Sequence, residues 1–378
     1  MITLDCDFPG GNIIVDSIDG DAIAVHQDLR DTTTDWFYWC FRARGAAGRK
    51  ISATFTGSNV IGVRGPAMSL DAGQTWQWLG ADSVSGQTFT CDVPASAAEV
   101  RFSFGMPYME TNLQAFLAQH AGSPFLEVGE LCKTQKGRSA ELLRLGRLDG
   151  SCRHRVLLTC RHHCCEMMAS YALEGILASV LAADELGAWF RENVELMVVP
   201  FVDKDGVEDG DQGKNRAPRD HNRDYSGTSV HPTTRAIREL VPGWSAGKLH
   251  FAMDMHCPHI RGKNNEDIYF PGGPEPHIWQ QVIHFSKIIE RVQSGPLVFS
   301  AANNLPFGVA WNVTANGLQG MSFGGWSAKL KGIYMGASLE LPYANASDRE
   351  VNQETAFGFG HDLAKAIQAY LLEIESKK

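Results

Sequence analysis

The sequence predicts an α/β protein in two parts: a small antiparallel β-sandwich, then a larger layered domain built on a mixed sheet. Two observations predict this. Over the first hundred residues, short runs rich in Thr, Val, Phe and Trp recur between Gly, Asp, Ser and Pro, the spacing of a small sandwich. Beyond them, apolar strand-like runs alternate with stretches of helical period, which implies helices laid on a parallel or mixed sheet. The boundary falls near residue 110 and divides 1–110 from 111–378.

The elements follow in order. KISATFTG (50–57), TWQWLG (75–80), TFTCDV (88–93) and EVRFSFG (99–105) read as strands of the first part, with the tryptophans in its core. METNLQAFLAQHAG (109–122) reads as a connecting helix. In the second part, SAELLRLGRL (139–148) and RHRVLLTC (153–160) are strands, and residues 166–190 read as one long amphipathic helix. VELMVVPFV (194–202) and LHFAMDMH (249–256) are apolar runs of the kind buried on both faces of a sheet. PHIWQQVIHFSKIIERVQ (276–293) and residues 360–378 have the helical period.

Bulk properties bound the function. The chain has 378 residues, 44% of them hydrophobic and 20% charged, enough for a sizeable core. A net charge of −9 argues against coating nucleic acid, which needs a basic surface. No apolar run is long enough to span a bilayer, and the first residues do not resemble a secretory signal. The nine cysteines are odd in number and show no disulfide framework, so reduced thiols and a cytoplasmic location are expected.

The chemistry concentrates in LLTCRHHCCEMMAS (157–170), where an apolar strand gives way to a helix. His163 and Glu166 are three apart on that turn and can converge on one zinc ion. Functional groups gather at the carboxyl ends of strands in open α/β sheets. A third ligand is available in HFAMDMHCPH, where His256 ends a strand and Asp254 is placed to orient a ligand. His162 and His259 compete for these roles. Glu340 stands inside the apolar strand YMGASLEL, where a bare carboxylate is costly. Acting as general base on the attacking water is one good use for it. The polar loop between the ligands carries Arg216, Arg219 and Arg223, whose guanidinium forks match carboxylates and developing oxyanions.

In these motifs the sequence resembles the zinc carboxypeptidase family, and within it the cytosolic-carboxypeptidase branch. RHHCCE stands where that branch has H-P-G-E. DKDGVEDGDQGKNRAPRDHNRDY is similar to its N-P-D-G-V, G-N-x-R and D-L-N-R series, in order. DMHCPH stands for D-L-H-G-H, SLELPYA resembles the catalytic-glutamate strand, and the β-rich leader resembles the small β domain before the catalytic domain. The resemblance implies a zinc-carboxypeptidase-like α/β/α domain and a peptide or protein C-terminus as partner, with neither nucleic acid nor membrane. It implies that His163, Glu166 and His256 hold zinc, normally one ion per chain. Arg216 would polarise the scissile carbonyl, Asn222 and Arg223 would grip the terminal carboxylate, and Glu340 would move the proton from water to the leaving amine. Members of the branch often remove acidic residues, which here would call on Lys329 or Lys331 in the segment 316–331.

Two departures stand out. Cys164-Cys165 replaces Pro-Gly between the first two ligands. The tyrosine that many members place over the substrate terminus has no counterpart in TANGLQGMSFGGW (314–326), and its role is carried onto neither Tyr334 nor Tyr343. Competing readings are a zinc amidohydrolase acting on small N-acyl amino acids, like aspartoacylase or succinylglutamate desuccinylase, and a silent binding module. A thiol centre at Cys160, Cys164 and Cys165 competes with inert buried thiols.

Overall fold

The computed structural model describes residues 1–313 and 319–376. The amino-terminal part folds as two facing five-stranded sheets. One has the order Thr3–Asp5, Cys40–Arg44, Glu99–Ser103, Ala67–Ser69, Gln77–Trp78, and the other Ile14–Asp19, Ala22–His26, Lys50–Phe55, Thr88–Asp92, Val84–Ser85. Pairing is antiparallel except between Ala22–His26 and Lys50–Phe55, which run parallel. In Lys50–Phe55 the buried residues alternate, Ile51, Ala53 and Phe55, because a strand turns every second side chain inward. Rings from the two sheets meet: Phe89 and Phe102 are 5.1 Å apart, Trp39 and Phe55 4.7 Å.

Helix α1 (Glu110–Gln119) leads into a six-stranded sheet: β1 (Leu126–Lys133), β2 (Ser139–Gly146), β3 (His154–Cys160), β4 (Val194–Val199), β5 (Leu249–His256) and β6 (Met335–Glu340). The spatial order is β1-β2-β4-β3-β5-β6. β1, β2 and β4 pair antiparallel, and β4, β3, β5 and β6 run parallel. Every residue of β4 and β5 is buried, since helices cover both faces. Val156 and Leu158 of β3 join the core under α2 (Met168–Leu181), α6 (Pro276–Val292) and α8 (Gln353–Glu375). Leu157 points the other way, into a second core with Val202 just ahead of α4 (Lys204–Asp209), with Ile237 and Val241 of α5 (Pro232–Ser245) and with Phe323 of α7 (Phe323–Ser327).

The stretch 166–190, read as one helix, is two: α2 ends at Leu181 and α3 (Glu185–Asn193) starts anew. The Asp184 side chain accepts from the Gly187 N–H at 2.8 Å. An aspartate that caps amide groups starts a helix rather than continuing one. Helix α8 begins earlier than its period suggested, capped by Asn352, whose side chain accepts from Thr355 N–H. Among the described residues no helix is long and apolar enough to cross a membrane.

Candidate metal centre and active site

After β3 the chain builds β4 on one side, then returns to lay β5 on the other. Such a switch point leaves a crevice at the carboxyl ends of the two strands. The turn holding His163 and Glu166 sits there. Arg161, with φ of 61°, opens that turn and is itself buried. Its guanidinium donates to the carbonyls of Cys164 and Tyr108 and to Ser170 Oγ. One buried cation thus fixes both ends of the turn. Cys164 packs between two glycines, and a Cβ on Gly206 or Gly213 would fall 2.6 or 2.8 Å from its Sγ.

His163 Nδ1 lies 2.9 Å from Glu166 Oε1, and His256 Nδ1 lies 2.6 Å from Glu166 Oε2. One ligand atom from each of the three residues lies within 4.8 Å of the others, and all three residues are buried. His256 Nε2 faces Asp254 as well. A neutral imidazole has one N–H, so a ring with a carboxylate at each nitrogen calls for a further cation, a proton or a metal ion. Two imidazoles and a carboxylate are donors that zinc accepts, and the set fits it. Burial favours the uncharged acid, but Lys214, His163 and His256 outweigh it and hold Glu166 well below the usual carboxylate range.

His162, Asp254 and His256 form a second such group. Both nitrogens of His162 are engaged, Nδ1 with Asp254 Oδ1 and Nε2 with the Tyr225 hydroxyl, each at 2.7 Å. Asp254 also accepts from Thr159 Oγ1 at 2.8 Å. His162 therefore steadies the aspartate that steadies His256. His259 packs its ring on Trp36 and Phe37 and is exposed; it belongs to neither group.

The register of β5 on β6 pairs His256 with Glu340. Paired residues on neighbouring strands present their side chains to the same face. Glu340 is buried, and its Oε2 has no hydrogen-bond partner among the described residues. Burial pushes its carboxyl up to about 7, with Glu166 adding to the effect and His256 and Lys214 opposing it.

The remaining residues expected at the site divide. Asn222 Nδ2 is 3.2 Å from His256 Nε2, and its Oδ1 accepts from the Phe323 N–H at 2.9 Å. Arg223 donates to the Asn222 carbonyl at 2.8 Å. Arg216 lies behind the ligand turn. Its Nε donates to Asp31 Oδ2, and its Nη2 lies 3.0 Å from Asp203 and 2.9 Å from Asp211. Lys329 and Lys331 are exposed and precede β6 at the far edge of the sheet. There Gly332 abuts Gly247, just before β5, and Tyr334 N–H donates to His250. Of the segment 316–331, residues 316–318 lie outside the described residues. Sequence reasoning passed over Lys214, whose Nζ is 3.1 Å from Glu166 Oε1. A signal was present: in GKNR the lysine stands where the resembled G-N-x-R motif has asparagine.

The three thiols proposed as a centre do not gather on an ion. Burial pushes Cys160 and Cys165 up to about 12 and raises Cys164 too, so all three stay protonated and inert. All nine cysteines are free.

No protein-family model matches the chain. Over 168 residues it is 30% identical to cytosolic carboxypeptidase 3 of Bos taurus, and over 195 residues 28% identical to cytosolic carboxypeptidase 1 of Homo sapiens. These alignments take in 41% and 47% of this chain but only 17% and 16% of those relatives, so the chain matches under a fifth of their length. In structure it is similar to a metallo-carboxypeptidase from Burkholderia cenocepacia, with TM-score 0.80 and 21% identity over 99% of both chains. It is similar also to a metallo-carboxypeptidase from Pseudomonas aeruginosa, with TM-score 0.75 and 19% identity over 98% of this chain and 99% of that one. The fold, amino-terminal sandwich included, is that of these proteins.

Proposed function

We propose that this chain is a zinc-dependent carboxypeptidase that removes the C-terminal residue of a peptide or protein, a reading supported by its likeness in sequence to cytosolic carboxypeptidases and in fold to a metallo-carboxypeptidase. The observation that carries the proposal is the β5–β6 register, which sets Glu340, a buried carboxylate whose Oε2 has no partner among the described residues, beside His256 of a His-His-Glu cluster. Zinc, held by His163, Glu166 and His256, would act as a Lewis acid and lower the pKa of water. Glu340 would take the proton of the attacking water as its oxygen bonds to the carbonyl carbon, and deliver it to the amine as the C–N bond breaks. A carboxyl poised near neutrality suits both transfers. Asn222 and Arg223 would hold the substrate's terminal carboxylate.

A preference for acidic terminal residues would follow from the likeness to the cytosolic carboxypeptidases, but Lys329 and Lys331 do not support it, because both lie at the wrong edge of the sheet. A cytoplasmic location is proposed on that likeness and on the nine unpaired thiols.

The test is to incubate zinc-loaded protein with peptides varied at the last residue, reading products by mass spectrometry. Loss of single residues from free C-termini, and none from amidated ones, is expected. Turnover of N-acyl amino acids with no turnover of peptides would replace this reading by the amidohydrolase one.

A further inference from the structure

Where the resemblance puts the cation that meets a developing oxyanion, the side chain is already engaged. Arg216 is occupied. Its guanidinium meets Asp31, Asp203 and Asp211; Asp203 is buried against it and Asp31 half-buried, with side-chain exposures of 1% and 10%. Withdrawing one partner from a buried ion pair leaves an uncompensated buried charge and is strongly destabilising. An arginine so held is a girder of the loop, ill suited to swing onto a substrate. Gly206 reinforces the packing, since a Cβ there would lie 2.5 Å from Asp203 Oδ2 and 2.6 Å from Arg216 Nη2.

Lys214, two residues earlier, points the other way. Its ammonium is 3.1 Å from Glu166 Oε1 and lies over the ring of Trp36, 5.5 Å from the centroid. Trp36 comes from the amino-terminal sandwich, so the lysine is guided into the site by the neighbouring part of the molecule. The side chain keeps 23% exposure, leaving a path to a ligand.

We propose, given a peptidase of this kind, that Lys214 is a catalytic residue: its ammonium, beside Glu166 and over the Trp36 ring, donates to the scissile carbonyl oxygen and stabilises the oxyanion. As the water oxygen bonds to carbon, the carbonyl π pair moves onto oxygen and Lys214 faces a full negative charge. When the C–N bond breaks, that pair re-forms the carbonyl, and the amine leaves with the proton that Glu340 took from water. The ammonium keeps its own protons throughout. A preorganised donor in a site with little water is worth far more to this charge than to the neutral carbonyl.

The test compares Lys214→Met, Lys214→Arg and Arg216→Met with wild type, all zinc-loaded. Zinc stoichiometry and the affinities of two ligands are measured: a phosphonate peptide analogue, whose tetrahedral oxygens stand in for the oxyanion, and the product peptide. Lys214→Met should weaken phosphonate binding, and lower kcat with little change in KM, by about 10²–10³-fold. Zinc content and product affinity should hold, and Lys214→Arg should recover part of the loss. Three results would overturn the assignment. In one, Lys214→Met loses zinc. In another, both ligands weaken equally. In the third, discrimination survives Lys214→Met and disappears in Arg216→Met. Wild type that cleaves no peptide would instead remove the peptidase reading, whereas active wild type with an indifferent Lys214→Met would remove only the role of Lys214.

Discussion

Glu340 shows how one residue acquires a function from its neighbours. The carboxylate sits at the end of a buried strand, beside a histidine and a second carboxylate, with one oxygen left without a hydrogen-bond partner among the described residues. Replacing it by glutamine keeps the shape and removes the base. Glu340→Gln should bind one zinc per chain and turn over peptides about 10²–10⁴-fold more slowly; zinc analysis and a peptide assay on the same sample would check this, and wild-type turnover would show that the base lies elsewhere. Much of the centre could be read from the chain. The spacing of His163 and Glu166 and the strand-end position of His256 named the cluster, because ligands at strand ends leave a local signature. Lys214 and Arg216 did leave signals, but those pointed to the arginine: Arg216 matches the arginine of the resembled G-N-x-R motif, while Lys214 is only a departure at its asparagine. The engagement of Arg216 depends on Asp31, Asp203 and Asp211, which only the fold brings to it.

Elements hold that centre in place by close approach. Helices α2 and α8 meet through two glycines: a Cβ on Gly175 would fall 2.0 Å from the Phe357 carbonyl oxygen, and one on Gly360 would fall 2.0 Å from that of Ala172. Backbone cannot yield as a side chain tip can, so an added methyl must push the helices apart. Gly175→Ala should destabilise the fold by about 1–3 kcal/mol, read as a lower denaturant midpoint. An unchanged midpoint would mean that the helices adjust freely. The apolar strands β4 and β5 were plain in the sequence because burial on both faces leaves an unbroken run. β1 was not, for it lies at the sheet edge with an exposed pattern. The break between α2 and α3 was missed because helical period continues across it, and only the capping by Asp184 resets the chain.

Across the whole molecule, the sandwich and the sheet domain share a polar seam. Asp31 of the sandwich part accepts from the Gln212 and Gly213 amides and from Arg216, and Arg30 meets Asp211. Burial, with Asp31 and Asp203 nearby, pushes Asp211 up to about 6 despite Arg216 and Arg30. The folded carboxyl thus keeps its proton to a higher pH than the unfolded one does. Between pH about 4 and 6 the folded state binds more protons, and this group's contribution to stability falls as pH rises. Asp211→Asn carries no such proton. Its stability relative to wild type should therefore climb over that window, by up to about 3 kcal/mol, and level off above it; denaturation at several pH values measures the difference. A flat difference would show that the seam does not strain Asp211. No sequence pattern announces this seam, since Asp31 and Arg216 are far apart in the chain and meet only after both parts have folded.

The central claim is that His163, Glu166 and His256 together hold one zinc ion, with His162 in support. Zinc titration with metal analysis, run on wild type, His163→Ala and His162→Ala, tests it most directly. The account predicts one tightly held equivalent in wild type, none in His163→Ala, and in His162→Ala an affinity lower by about 10–100-fold with the stoichiometry intact. Full occupancy in His163→Ala together with loss in His162→Ala would contradict it and move the ion to the other side of His256.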